Sequence, residues 1–529
     1  MFRKALLLGA TIFVTPVLAA ATPAVSPVPN ADSVTTGSVT IGGTAIPYRA
    51  VAGTILVHGS NYNDSAEVIS SRGTKVDTSK DEAAKNPPVA SMFYTAYFKQ
   101  GVPSNKRPIT FIYNGGPGSA SVWLHMGSFG PVRVNTPGDQ HLAAAPYPLI
   151  NNPQSLMDVS DVVFIDAPGT GFSRIAGKDA GKEFLGVDGD AEAFTHFIAQ
   201  FLAKYHRYNS PKYLFGESYG TMRSAVVINN LEQDESIDFN GVILLSQILN
   251  YDNSDDGPQF NAGMDAPYIL ALPTYAATAW YHHCLPQQHP DLKAFLKEVE
   301  QFASTDYTLA LQQGADLPEA KKQEIANRLH DYTGLPVDYI LRADLRVNGG
   351  EFDQQLQAKT GNATGRLDTR FSSPTIDPMS QEVDYDPQST AISSAYVSTF
   401  NEYVRSTLKY GTDENYRLSN PQGHWDSHHR QPGGGYQPKG VPNVMTDLAM
   451  AIKTNPNLHV MLNAGYFDLA TPYYEGIYEM KHLPIPANLQ KNIEYAQYQS
   501  GHMVYVDPNT LQQLHDNVAA FIRKTDNLH

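Results

Sequence analysis

The sequence predicts an α/β protein: a mostly parallel sheet with helices on both faces, interrupted by a large helical insertion. Three observations carry that reading. Short runs that are apolar throughout end in glycine or polar residues, at 108-PITFIYNGG-116, 161-DVVFIDAPGTGF-172, 212-KYLFGES-218 and 457-NLHVMLNAGYFD-468. Such runs belong to strands buried on both faces, as in a parallel sheet. Helical periodicity separates them, and residues from about 250 to 435 break the strand–helix rhythm altogether.

Taken in order, 1-MFRKALLLGATIFVTPVLAAATPA-24 reads as a secretory signal. Arg3 and Lys4 precede a short apolar core broken by Pro16, and small residues follow at Ala19 to Ala21. The signal is placed at 1–20 and a flexible lead-in at 21–36, so the expected setting is the bacterial periplasm or the medium. From 38-SVTIGGTAIPYRAVAGTILV-57 to 91-SMFYTAYF-98, alternation and glycine turns predict an antiparallel meander, with a polar loop at 72–88. In 190-DAEAFTHFIAQFLAKYHRY-208, Ala191, Phe194, Phe197, Ile198 and Phe201 recur at helical spacing, with Asp190 placed to cap the start. A strand follows at 240–247. Residues 37–250 are the first part of the main domain and 441–529 the second. Residues 251–440 form an inserted cap with amphipathic helices at 291–303 and 319–334, and the chain closes on a helix at 509–524.

With 38 basic and 53 acidic residues the net charge is −15, which disfavours nucleic acid and anionic membrane as partners. No later stretch reads as a membrane span, so none is expected once the signal is removed. The single cysteine, Cys284, excludes an intramolecular disulfide. No metal or other cofactor is expected. His-Glu-x-x-His is absent, 282-HHC-284 and 428-HHR-430 lack ligand spacing, and no Gly-Lys-Ser follows the glycine loop at 114-NGGPGSAS-121.

The chemistry centres on Gly216-Glu217-Ser218-Tyr219-Gly220, which follows a strand and precedes a helix at 221–231. That context makes a nucleophile elbow, a tight turn that admits only small flanking residues and lifts a serine hydroxyl clear. A serine needs a base, and the base an orienting acid, in the chain order Ser, acid, His. His502, in the loop 499-QSGHMVY-505, and Asp468, straight after a strand, satisfy that order. His125, His424, His428 and His429 compete as bases but fall in polar or aromatic segments. The oxyanion requires two backbone donors, one from Tyr219 and one from the glycine loop after 110-TFIY-113.

Asn114-Gly115-Gly116-Pro117-Gly118, Asp166-Ala167-Pro168-Gly169-Thr170-Gly171-Phe172-Ser173, the Ser218 elbow, Asp468 and Gly501-His502-Met503-Val504 occur in sequence order. Together they resemble the landmarks of the serine carboxypeptidases, peptidase family S10. The resemblance implies an α/β-hydrolase fold with an inserted cap, and removal of single C-terminal residues from peptides with a free C-terminus. It further implies oxyanion amides at Gly116 and Tyr219. Asn114, the Gly115 amide and the Glu217 carboxyl would bind the substrate's terminal carboxylate, and Met503 would line the pocket beside the leaving residue. A protonated Glu217 donates to a carboxylate, whereas an ionised one repels it.

Two departures from the family pattern stand out. Ser119 replaces a cysteine that many members use in a disulfide. Ser128, in 128-SFGP-131, stands where the family carries an acidic partner for the elbow glutamate, so Glu217 is expected to be less strongly perturbed or to share its proton with another group. An esterase or acyltransferase with the same triad, and a catalytically inactive peptide-binding protein, are the alternatives.

Overall fold

The computed structural model describes residues 31–59, 88–420, 425–435 and 441–528. The signal sequence, most of the lead-in, the polar segment at 72–87 and His424 lie outside the described residues. Strands β1 (Ser33–Ile41), β2 (Thr44–His58) and β3 (Val89–Lys99) form the antiparallel meander. The lead-in ends earlier than residue 36: Ser33 to Thr36 already pair with Ala52 to Arg49. A ladder partner overrides the loop-like composition there.

The strand–helix alternation then runs β4 (Ile109–Tyr113), β5 (Asp161–Ile165), α1 (Val187–Lys204), β6 (Lys212–Glu217), α2 (Tyr219–Gln233) and β7 (Gly241–Leu245). The insertion contributes α3 (Ala266–Tyr281), α4 (Leu292–Phe302), α5 (Glu319–Thr333) and α6 (Pro387–Ser406). The chain closes with α7 (Met445–Thr454), β8 (His459–Gly465), α8 (Tyr473–Lys481), β9 (Ile493–Tyr498) and α9 (Pro508–Thr525). Strand order is β1-β2-β3-β5-β4-β6-β7-β8-β9, antiparallel as far as the β3–β5 pair and parallel beyond it.

Period-two alternation explains why the parallel strands read as unbroken apolar runs, since successive residues feed two different cores. Phe111, Leu214, Val242 and Val460 face α1, α2 and α7. Ile112, Phe215, Ile243 and Met461 face α6 and α9. The insertion packs in two ways. Helices α3 to α5 build a third cluster, with Leu272, Phe295 and Tyr332, that meets the body at Phe467 and Leu469. Helix α6 instead sends Ile392, Tyr396 and Phe400 into the core beneath the sheet.

Asp190 is not a helix cap. α1 begins three residues earlier, capped at Gly186, and the Asp190 carboxylate is buried against Arg223. A pairing partner on another helix takes the side chain that local propensity assigns to the backbone.

Candidate active site

Every predicted site residue lies at the carboxyl end of a parallel strand or shortly after one, where ligands bind in open α/β sheets. Ser218 joins β6 to α2 with φ 60° and ψ −132°, a conformation that non-glycine residues rarely adopt. The turn is held by a hydrogen bond from the Ser218 N–H to the Leu245 carbonyl, 2.9 Å. Gly216 is required: a Cβ there would lie 2.1 Å from the Gly220 carbonyl oxygen. The Ser218 residue is half-buried, while its neighbours in the turn are buried.

The sheet register delivers the glycine loop to this turn. β4 and β6 run parallel with Tyr113 opposite Gly216, so Asn114, just past β4, comes level with Glu217 at the end of β6. Asn114 Nδ2 donates to Glu217 Oε1 at 2.9 Å, and Asn114 Oδ1 accepts from the Leu124 N–H at 3.1 Å. Gly115 runs so close to the elbow that a Cβ would stand 2.4 Å from the Tyr219 nitrogen. Glycine there lets the two candidate oxyanion segments touch.

Glu217 is 3% exposed. Burial pushes its carboxyl up to about 7, although the His502, Tyr505 and Asn114 side chains favour the ionised form. Ser128 plays no part, since its hydroxyl donates to the Leu124 carbonyl at 2.6 Å. The weaker perturbation expected from the missing acidic partner is therefore corrected: desolvation, helped by the Asp468 charge, lifts this carboxyl without Ser128.

On the other wall, Asp468 Oδ2 accepts from His502 Nδ1 at 2.9 Å and from Thr471 Oγ1 at 2.8 Å. Its Oδ1 accepts from the Ala470 and Thr471 backbone N–H groups, both at 3.0 Å. An Nδ1–H directed at Asp468 leaves Nε2 as the basic nitrogen. Burial draws the His502 pKa down, but the Asp468 carboxylate, with Glu217, outweighs it and holds the imidazole above its ordinary value.

Asn114, Gly115, Gly116, Glu217, Ser218, His502 and Met503 line one cavity of about 300 Å³. Trp123 and Ile392 contribute apolar wall, and Asp256 and Arg366 a salt bridge at 2.5 Å. Tyr219 is buried, its ring 5.2 Å from that of Trp425. The competing histidines among the described residues have structural partners. His125 stacks on Phe164 and is pulled down to about 3 by burial. His429 bridges Asp188 and Asp447, and His428 pairs with Asp426 at the surface. Among the described residues, no group of three or more His, Cys, Asp or Glu could hold a metal ion, and no helix is long and apolar enough to cross a membrane.

Several contributors escaped the sequence reading. Thr471 follows Asp468 in 468-DLAT-471, an aspartate-turn pattern that could have revealed it. A lone arginine in the small and apolar run 219-YGTMRSAVV-227 could have flagged Arg223. The insertion segment 366–370, which hydrogen-bonds both the Asp468 and the His502 loops, carries no local signal.

A mostly parallel sheet with strand-end loops bearing a serine elbow, an acid and a histidine defines an α/β-hydrolase fold. A family model described as serine carboxypeptidase matches residues 83–528, and the chain belongs to that family. Curated relatives include serine carboxypeptidase-like 36 of Arabidopsis thaliana, 28% identical over 178 residues, which are 33% of this chain and 35% of that one. The pheromone-processing carboxypeptidase KEX1 of Yarrowia lipolytica is 30% identical over 142 residues, 26% of this chain and 21% of that one. These matches thus span about a third or less of the relatives' length. Among solved structures, Kex1(delta)p, a prohormone-processing carboxypeptidase from Saccharomyces cerevisiae, shares the fold. It aligns with a TM-score of 0.50 and 14% identity over 90% of this chain and 91% of that one.

Proposed function

We propose that this protein is a serine carboxypeptidase, cleaving the last peptide bond of substrates with a free C-terminus through an acyl-enzyme. The observation that carries the reading is the buried Asn114–Glu217 pair in the same cavity as Ser218 and His502. A protonated carboxyl there can donate to a substrate's free carboxylate, the group an exopeptidase must recognise. In the proposed cycle His502 Nε2 takes the Ser218 proton as Oγ attacks the scissile carbonyl, and Asp468 stabilises the imidazolium. The Gly116 and Tyr219 amides receive the oxyanion. The imidazolium protonates the leaving amino group, and water, activated by the same histidine, releases the peptide from Ser218.

Asn114, the Gly115 amide and protonated Glu217 would hold the terminal carboxylate, with Met503 beside the departing residue. Glu217 and His502 titrate as an interacting pair. Neutral Glu217 with neutral His502 is the productive form. Ionised Glu217 with imidazolium holds the same number of protons, so pH does not alter the ratio of these two forms. A substrate carboxylate beside Glu217 draws the pair toward the productive one.

The test compares a peptide with its C-terminal amide. Release of one C-terminal amino acid from the free acid, much faster than any cut of the amide, is expected. The binding of a C-terminal carboxylate ligand should weaken as pH rises through about 7, the range to which burial lifts Glu217. In Glu217→Gln only the shallower dependence that comes from His502 should remain. Identical pH profiles for the two proteins would remove Glu217 from carboxylate recognition.

A further inference from the structure

Arg223 is one of the largest fully buried side chains in the described structure, and nothing in the proposed cycle uses it. It lies in the second turn of α2, the helix that Ser218 opens. Its Nε donates to Asp190 Oδ2 at 2.6 Å and its Nη2 to Asp190 Oδ1 at 3.1 Å, a bidentate pair from which solvent is excluded. The third arm, Nη1, donates to the backbone carbonyl of Asn114 at 2.7 Å. The guanidinium carbon lies 4.3 Å from the centre of the Phe194 ring and 5.4 Å from those of Tyr113 and Tyr219.

Stability does not account for such a pair. Removing two charges from water is costly, and well-packed apolar residues of similar volume commonly serve a core as well or better. The pair does something an apolar core cannot: it grips one carbonyl oxygen just beyond the end of β4. The Asn114 carbonyl and the Gly115 N–H belong to one planar, trans peptide unit and point in opposite directions. Fixing the carbonyl toward α2 therefore fixes the Gly115 N–H on the other side of the plane, and Gly115 lines the cavity. The other requirement, that this loop press against the elbow, is met by Gly115 itself.

We propose that Arg223, oriented by Asp190, is a positioning residue for substrate-carboxylate recognition, locking the Asn114–Gly115 peptide plane so that the Gly115 amide faces the terminal carboxylate. The inference rests on the carboxypeptidase reading and adds a residue to it. Arg223 touches no substrate; it acts through a peptide unit. Asp190 fixes the guanidinium plane through two of its nitrogens, which holds Nη1 where one of its two N–H bonds meets the Asn114 carbonyl.

The experiment uses the double variant Arg223→Met/Asp190→Leu, which removes both charges together, and Arg223→Lys, which keeps a charge but not the fork. Each is assayed on a peptide with a free C-terminus and on a blocked ester without a terminal carboxylate, with rates expressed per active site titrated at Ser218. In the double variant KM for the free-acid peptide should rise roughly 10-fold, the effect of losing one well-aimed hydrogen bond to a charged group. The ester kcat/KM should fall by less than about 3-fold, because its transition state has no carboxylate to hold. Arg223→Lys should lie between wild type and the double variant.

A merely structural pair would reduce the titratable fraction and depress both substrates alike. Equal losses on acid and ester, or no change per titrated site, would overturn the proposal. If the double variant does not fold, Arg223→Lys alone decides by the same ratio. A wild-type protein that cleaves the ester yet shows no preference for free acid over amide defeats the carboxypeptidase reading, and this inference with it. A wild-type preference that the variants keep intact defeats only the inference.

Discussion

Ser218 is positioned by its neighbours in the sheet, His502 by sheet-borne Asp468 and Ser246 together with a segment of the insertion. On the nucleophile side, the Ser218 N–H binds Leu245 of the next strand, Gly216 packs on α2, and Asn114 arrives by the β4–β6 register. On the base side, the His502 N–H donates to the Leu367 carbonyl at 2.6 Å, and the Gly501 N–H to Asp368 Oδ2 at 3.1 Å. Arg370, paired with the fully buried Asp368, reaches the Gln499 carbonyl and Ser500 Oγ. The same segment ties down the acid loop, through Thr369 N–H to the Phe467 carbonyl and Leu469 N–H to the Arg366 carbonyl. The difference teaches that the Ser218 side is held by the sheet, whereas the His502 side is held by the sheet, through Ser246 Oγ to the His502 carbonyl at 2.7 Å, and by the insertion together.

Four substitutions break or sharpen that contrast. The largest effect is expected from Ser218→Ala, which should lower kcat roughly 10⁴-fold or more while leaving the melting temperature near wild type. Asp368→Ala comes next, because it strands Arg370 as an uncompensated buried charge. It should cost about 3 to 5 kcal/mol in denaturant unfolding and lower the rate of Ser218 labelling by an active-site phosphonate. Full labelling in a destabilised Asp368→Ala protein would show that the base loop holds without its clamp.

His429 provides the counterpart on the sheet side, since it ties the chain beside Trp425 to α1 and α7. Burial disfavours its imidazolium, but the Asp188 and Asp447 carboxylates prevail and push it up to about 9. The folded pKa exceeds the unfolded one, so this contribution is complete below about pH 6.5 and is lost as pH rises through about 9, on the order of 3 kcal/mol. His429→Gln should flatten that slope in unfolding curves taken at pH 6 and pH 9. The smallest effect belongs to Thr471→Val, which removes one hydrogen bond to Asp468. A loss of about 1 kcal/mol in stability and a several-fold drop in kcat are expected.

Legibility followed the same divide. The apolar runs of β4 to β8, the serine elbow and the order Ser218, Asp468, His502 were readable because each is a pattern within a few residues or a rule about chain order. The Asp368–Arg370 clamp was not, because its partners are more than a hundred positions away and their identity is ordinary. Asp190 was misread for a related reason: capping propensity is local, and a buried arginine on another helix outweighed it. Ser33 to Thr36 read as linker because serine and threonine favour loops until a ladder partner is present. Glu217 was legible as a carboxyl beside the elbow serine, yet its raised pKa comes chiefly from burial, which no neighbour in the sequence announces.

Cys284 has a practical consequence. It is the only cysteine in the chain, it lies in the insertion just beyond α3, and it is half-buried. Production in a reducing cytosol therefore sacrifices no internal cross-link, and oxidants can scramble none. The thiol is also a unique anchor for a fluorophore or spin label, slow to react because burial raises its pKa. A probe there would sit in the insertion that also supplies the Leu367 and Asp368 contacts to the His502 loop.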